Sequence, residues 1–113
     1  MLHWLDLSAN QITYIPKDAL ESCPHLSTLQ LHANQLCRYS DIDNISTLKK
    51  LKSLTLHGNP LEEKKHYRNY VMHSIPSVLQ LDFSPVTKID REKAHAWSLV
   101  YRKKLETSRE EEE

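Results

Sequence analysis

Apolar residues recur along the chain in one eleven-residue pattern, LxxLxLxxNxL, whose middle alternates apolar and polar positions. The copies are LHWLDLSANQI from Leu2, LSTLQLHANQL from Leu26 and LKSLTLHGNPL from Leu51, with a degraded copy from Val78. In that last copy Leu81 and Phe83 stand where the second and third leucines belong. The starts lie 24, 25 and 27 residues apart, the period of a solenoid in which each unit buries its apolar face against its neighbours.

Alternation of the kind seen in Leu29-Gln30-Leu31 predicts a short strand with one buried and one wet face. The predicted buried set is Leu5 and Leu7, Leu29 and Leu31, Leu54 and Leu56, then Leu81 and Phe83, with Leu2, Leu26 and Leu51 closing each coil. Asn10, Asn34 and Asn59 follow each strand at a fixed offset, where an amide side chain can satisfy the backbone of the turning chain and of the next coil.

The return segments differ from one another. Ile15, Leu20 and Cys23 line the first. Ile42, Ile45, Leu48 and Leu51 predict a short helical turn capped by Asp41 in the second. The segment Glu62 to Ser74 reads as a longer helix with Tyr67, Tyr70, Val71 and Ile75 on one stripe, ended by Pro76. From Thr87, T-K-I-D is a capping box, with Thr87 as N-cap and Asp90 three residues on. Ile89, Lys93, Trp97, Val100, Tyr101 and Leu105 then form a stripe whose early part, Ile89 to Trp97, is expected to pack on the final coil.

The expected fold is therefore α/β: a right-handed repeat solenoid with a parallel β ladder of three repeats plus a capping strand, and a C-terminal helix. The organisation reads as repeats with their cap over 1–86, a helix over 87–107 and an acidic tail over 108–113.

Composition narrows the functional classes. Fifteen Lys and Arg balance fifteen Asp and Glu in 113 residues, so net charge calls for neither nucleic acid nor an anionic membrane. No apolar stretch approaches the roughly 20 residues of a membrane span, and a secretory leader pattern is missing, so a cytoplasmic setting is expected. The lone glycine argues against a phosphate-binding loop. Cys23 and Cys37 lack metal-ligand spacing and are expected as free thiols.

His32 and His57 hold the same offset in consecutive repeats, which places their rings about 4.8 Å apart. A zinc site needs three or four ligands, and the flanking coils offer Ser8 and Ser84 there, so no metal or cofactor is expected. Ser8, His32 and Asp6 could meet as a serine triad, yet a flat ladder supplies neither a nucleophile elbow nor a water-excluding pocket. No enzymatic activity is expected.

The outward strand residues are Trp4, Asp6 and Ser8, then Thr28, Gln30 and His32, then Ser53, Thr55 and His57, then Gln80, Asp82 and Ser84. They tile the concave face on which curved arrays bind partners. Trp4 reads either as an interface anchor or as a ring packed under a further N-terminal segment. Beyond Trp97, the helix face of Val100, Tyr101, Arg102, Lys103, Lys104 and Leu105 is a second candidate contact. Direct binding of nucleic acid is disfavoured, because the concave positions carry aspartates and no lysine or arginine. Repeat register starts at Leu2 with no preceding cap, so another polypeptide is expected to cover the coil from Leu2 to Ile12, or the chain to be part of a longer one.

Tyr67, Arg68, Val71, Pro76, Leu81 and Asp82 fit YRxxVxxxxPxxxxLD, the cap that closes cytosolic leucine-rich repeat proteins of the SDS-twenty-two-like class, which the chain resembles. LKSLTLHGNP, HYRNYV and LDFSPVTKIDREKAHAW carry a closer likeness to one subfamily of that class, nearly continuous from Leu51 to Trp97. The resemblance implies a non-catalytic protein-binding subunit of a multi-protein assembly in a ciliary or flagellar axoneme. The alternative is an adaptor of a ribonucleoprotein complex, since the spliceosomal leucine-rich protein shares the cap.

Overall fold

The computed structural model describes residues 2–112, with side chains described through Val100. The elements, in order, are β1 (Trp4–Asp6), β2 (Thr28–Gln30), α1 (Tyr39–Ile45), β3 (Ser53–Thr55), a 3-10 turn (Pro60–Glu63), α2 (Tyr67–Ser74), β4 (Gln80–Leu81), β5 (Ser84–Pro85) and α3 (Lys88–Glu112). Strands β1 to β4 stack in parallel in chain order, and β5 pairs antiparallel with β4. The register aligns Leu5 with Leu29, Leu29 with Leu54 and Leu54 with Leu81, matching repeat to repeat.

One continuous core runs beneath this ladder. Leu26, Leu29, Leu31, Leu51, Leu54, Leu56, Val78 and Leu81 are completely buried, and the return segments add Ile42, Ile45, Leu48 and Leu61. Helix α2 closes the last coil through Tyr67, Tyr70, Val71 and Met72, and α3 lies over α2 with Ala94 and Trp97 buried. Tyr70 stacks on Tyr39 at 4.1 Å and meets Trp97 edge-on at 6.0 Å, arrangements that suit the ring quadrupoles.

The asparagines form a polar spine. Asn34 Oδ1 accepts from the amides of Asn10 and Ile12, while its Nδ2 donates to the carbonyls of Leu7 and Leu31. Asn59 repeats this one coil on, accepting from Leu36 N and donating to Leu31 O and Leu56 O. An amide is suited to this position because it donates and accepts at once, satisfying two coils with one side chain.

The left-handed backbone region is reached at the same repeat offset in Ala9 (φ 57°), Ala33 (φ 59°) and Gly58 (φ 73°). The single glycine fills a conformation that the other two repeats hold with alanine.

Several local expectations change. Asp41 does not cap α1; Arg38 holds the N-cap position, and Asp41 is buried in the first turn. Its Oδ1 accepts from Ile15 N at 2.9 Å, which ties the second return segment to the first. The helix expected from Glu62 is split into the 3-10 turn and α2. The capping box forms reciprocally, with Thr87 N donating to Asp90 Oδ2 at 2.9 Å and Asp90 N donating to Thr87 Oγ1 at 3.1 Å. The buried stripe of α3 is rotated from the expected one. Ile89 is 63% exposed, while Arg91 turns inward and donates to the carbonyls of Met72 and Val78.

Phe83 also leaves the predicted core. Asp82 and Phe83 both have positive φ, 52° and 66°, which makes them the two central residues of a tight hairpin between β4 and β5. The turn ends the parallel ladder and carries Phe83 out to 57% exposure.

Candidate functional site

The alternation that buries Leu5, Leu29 and Leu54 sends the side chains between them to the other face of the sheet. Trp4, Asp6 and Gln80 are exposed there, and Ser8, Thr28, Gln30, His32, Ser53 and His57 are half-buried. Ser84 belongs to β5 and not to the parallel row.

Two residues expected to be open for contact serve the scaffold. Thr55 is buried, and its Oγ1 accepts from Leu31 N at 3.2 Å and meets His32 Nδ1 at 2.8 Å. The His32 ring leans across the strand and hides the hydroxyl, a depth that alternation alone does not encode. Asp82 is only 13% exposed in its side chain. Its Oδ1 accepts from the amides of Leu56 and His57, and its Oδ2 accepts from the Tyr67 hydroxyl at 2.7 Å. The first and last residues of the cap motif are therefore bonded to each other. Burial, followed by the Asp82 charge, pushes the Tyr67 hydroxyl far above the ordinary tyrosine range.

At the centre of the face, His32 and His57 stack with ring centroids 4.8 Å apart and planes within 3°, the spacing that strand stacking predicts. Nδ1 of His32 is engaged by Thr55, and Nδ1 of His57 lies 3.3 Å from Asp82 Oδ1. Phe83 closes on the pair edge-first, 5.9 Å from His32 and 5.6 Å from His57. Among the described residues no group of three or more His, Cys, Asp or Glu is placed to hold a metal.

The possible triad is not assembled. Ser8 Oγ donates to Asp6 Oδ1 at 2.6 Å, and His32 pairs with Thr55, so no imidazole faces the serine. The same Asp6 oxygen accepts from Ser8 N at 2.9 Å. These two bonds hold the Asp6 carboxyl below the ordinary carboxylate range. Cys23 and Cys37 are free thiols.

Phe83 is the site residue that sequence reasoning assigned wrongly. The signal was present: the fourth copy has Val86 where the others carry asparagine, so the strand-to-turn path of the earlier coils has no polar side chain to support it. On α3, Val100 is exposed, whereas Tyr101, Arg102, Lys103, Lys104 and Leu105 lie outside the residues whose side chains are described. Beside the Tyr67–Asp82 bond, a polar depression of about 390 Å³ is lined by Glu62, Lys64, Lys65, His66, Arg68 and Asn69. Its cations contrast with a sheet face whose formal charges are carboxylates.

A parallel ladder of asparagine-bearing coils, closed at one end by a tyrosine–aspartate cap and presenting a rigid polar and aromatic sheet, defines the leucine-rich repeat class. Residues 1–108 match the leucine-rich repeat family, and the chain belongs to it; its members are protein-interaction modules.

Leucine-rich repeat-containing protein 51 is 46% identical in rat and 45% identical in human over 96 residues. That alignment covers 85% of this chain and 50% of each relative, so the chain spans about half the length of the curated relatives it matches. A nematode protein described as a probable U2 small nuclear ribonucleoprotein A', from Caenorhabditis elegans, is 39% identical over 82% of this chain and 37% of its own length. Among solved structures, the Drosophila melanogaster SNF/U2A' complex contains a chain that superposes with a TM-score of 0.84 at 28% identity, covering 95% of this chain and 62% of that one. Among the described residues no helix is long and apolar enough to cross a membrane.

Proposed function

We propose that the chain is a non-catalytic subunit of a multi-protein assembly and that it meets its partner on the concave sheet. The observation that carries this reading is the outward row of β1 to β4. It is a fixed, water-accessible surface with two exposed aromatics, Trp4 on β1 and Phe83 against the stacked histidines. Exposed aromatics on a rigid scaffold are what interface hot spots are built from, because little conformational freedom is lost when they are covered. The segment of α3 from Val100, which is exposed, to Leu105 is a second partner-facing segment in this reading. The apolar flank of the first coil, where Leu2 is exposed, is a place where a further coil or chain fits.

Two settings follow from the family. The axonemal one rests on the likeness of the segment from Leu51 to Trp97. The ribonucleoprotein one is supported by the 39% identity to the nematode U2 A' protein and by the fold shared with the SNF/U2A' complex. In the second setting the chain contacts the protein component and leaves RNA to it, since no lysine or arginine projects from the sheet.

The test is affinity capture with the tagged chain from nuclear and ciliary fractions, comparing wild type with Ser53→Arg at the centre of the sheet and Glu21→Arg on a return segment. A specific partner set lost with Ser53→Arg and kept with Glu21→Arg is the expected result. Equal capture by both variants sinks the concave reading, and the fraction that supplies the partner decides the setting.

A further inference from the structure

Building on the concave reading, we infer that Trp4 and Asp6 form a guanidinium seat that takes an arginine side chain of the partner polypeptide. The two residues are outward neighbours on β1, separated by the inward Leu5, so their side chains stand about 6.6 Å apart on one face. Trp4 is 56% exposed and offers a large aromatic surface to water. Asp6 is exposed and forms no ion pair among the described residues.

The carboxylate is already oriented. Both bonds from Ser8, the hydroxyl at 2.6 Å and the amide at 2.9 Å, fall on Oδ1, so the carboxylate plane is fixed and Oδ2 is left to accept from outside. An oriented carboxylate beside an indole face is the geometry a guanidinium meets best: its planar fork donates to the carboxylate while its face lies on the ring. A lysine ammonium has the charge without the plane and gains less from the ring.

The surroundings select for a cation. Across β1 to β4 the formal charges on the sheet face are Asp6 and the half-buried Asp82, while His32 and His57 are the titratable bases and no lysine or arginine joins them. Asp82 is committed to Leu56 N, His57 N and the Tyr67 hydroxyl, which leaves Asp6 as the acid with acceptor capacity facing out. Thr28 and Gln30 pair in register with Trp4 and Asp6, offering hydroxyl and amide groups to the rest of the segment. Phe83 closes on the histidine pair, 5.9 Å from the His32 ring, where it suits an apolar residue of the same segment.

The probe is N-acetyl-arginine methylamide, titrated into the ¹⁵N-labelled full chain and followed by heteronuclear NMR, with the citrulline and lysine analogues as its neutral and non-planar counterparts. Saturable shifts of the Trp4 indole N–H and the Ser8 amide in the arginine arm are expected, with affinity about tenfold above that of citrulline. Asp6→Asn keeps an acceptor for Ser8 and is expected to remove the arginine preference, and Trp4→Leu to weaken it. Equal responses to arginine, lysine and citrulline, or shifts that spare Trp4 and Ser8, overturn the seat. Partner capture that survives Asp6→Asn but is lost with Ser53→Arg also overturns the seat while the concave reading stands. Loss with both variants, with wild-type spectra elsewhere, supports it.

Discussion

The first and third coils carry the same eleven-residue pattern and reach different degrees of order. Leu54 and Leu56 of the third are fully buried, sandwiched between β2 and β4 and roofed by the last return segment, whereas Leu5 and Leu7 of the first are partly buried and Leu2 is exposed. Asn59 is buried with four backbone partners, Leu36 N and the carbonyls of Leu31, Leu56 and His57. Asn10, its equivalent, is exposed, and among the described residues its side chain donates to Ser8 O alone, at 3.1 Å. A repeat motif therefore sets which atoms can bond, and its place in the stack sets how many do. In an array where each unit contacts only its neighbours, stability is a sum of interfaces, and β1 has a neighbour on one side in the described sheet.

The largest expected effect breaks this comparison at its apolar core. Leu54→Ala removes a side chain with no exposed surface from between two strands and is expected to cost about 3–4 kcal/mol, against about 1 kcal/mol for Leu5→Ala. Urea denaturation of the two variants checks it, and equal losses would show that the first coil is as tightly packed as the third. Next is the asparagine spine. Asn59→Ala strands the buried Leu36 amide and Leu56 carbonyl, while Leu31 O keeps its bond from Asn34, and is expected to cost about 2–3 kcal/mol, whereas Asn10→Ala should stay within about 0.5 kcal/mol. Amide exchange gives the same ordering: protection of Leu54 is expected to track global unfolding, and protection of Leu5 to fall well below it.

Much of this architecture was legible because a solenoid repeats its instructions. Three aligned copies fix strand positions, inward leucines and the asparagine offset, and the 4.8 Å imidazole stack follows from that offset alone. The departures share a physical origin, since alternation tells which face a residue is on but neither how deep it lies nor who covers it. Thr55 is on the predicted face and is hidden by a neighbouring histidine. Asp82 is there too, but the Tyr67 hydroxyl and two amides draw it inward. Phe83 was assigned by its place in a pattern that had already lost its asparagine, and the two-residue turn that expels it carries no glycine to announce it. The rotation of α3 was set by Arg91, whose guanidinium caps the carbonyls of Met72 and Val78, a tertiary demand that no helical period records.

A smaller effect sharpens the comparison at the left-handed position. Gly58→Ala would place a Cβ 3.1 Å from Ala33 N on a backbone with φ 73°, and a loss of about 1 kcal/mol is expected. Ala33→Gly relieves the same conformation one coil earlier and should gain about 0.5 kcal/mol, the entropy of the freer unfolded chain offsetting part of the relief. Thermal melts of the two variants should move in opposite directions. A stabilised Gly58→Ala would mean that this offset tolerates a side chain without strain.

The smallest effect is a pair of opposite pH dependences. Burial raises the Asp41 carboxyl above its ordinary range despite its bond from Ile15 N, and its Oδ2 is buried without a hydrogen-bond partner among the described residues. The protonated form is thus favoured by the fold. The stability this group contributes is complete below its unfolded pKa and is lost as pH rises through its raised folded value. Asp90 is the reverse. The Thr87 amide and hydroxyl lower its carboxyl, so its contribution is present above the unfolded pKa and is lost as pH falls through the depressed value. Asp41→Asn is therefore expected to flatten the decline of stability above the usual carboxylate range, and Asp90→Asn the decline below it. Denaturation midpoints of both variants and the parent between pH 3 and pH 7 test the assignment, and a shared direction for the two would show that Asp41 is held ionised by the second return segment.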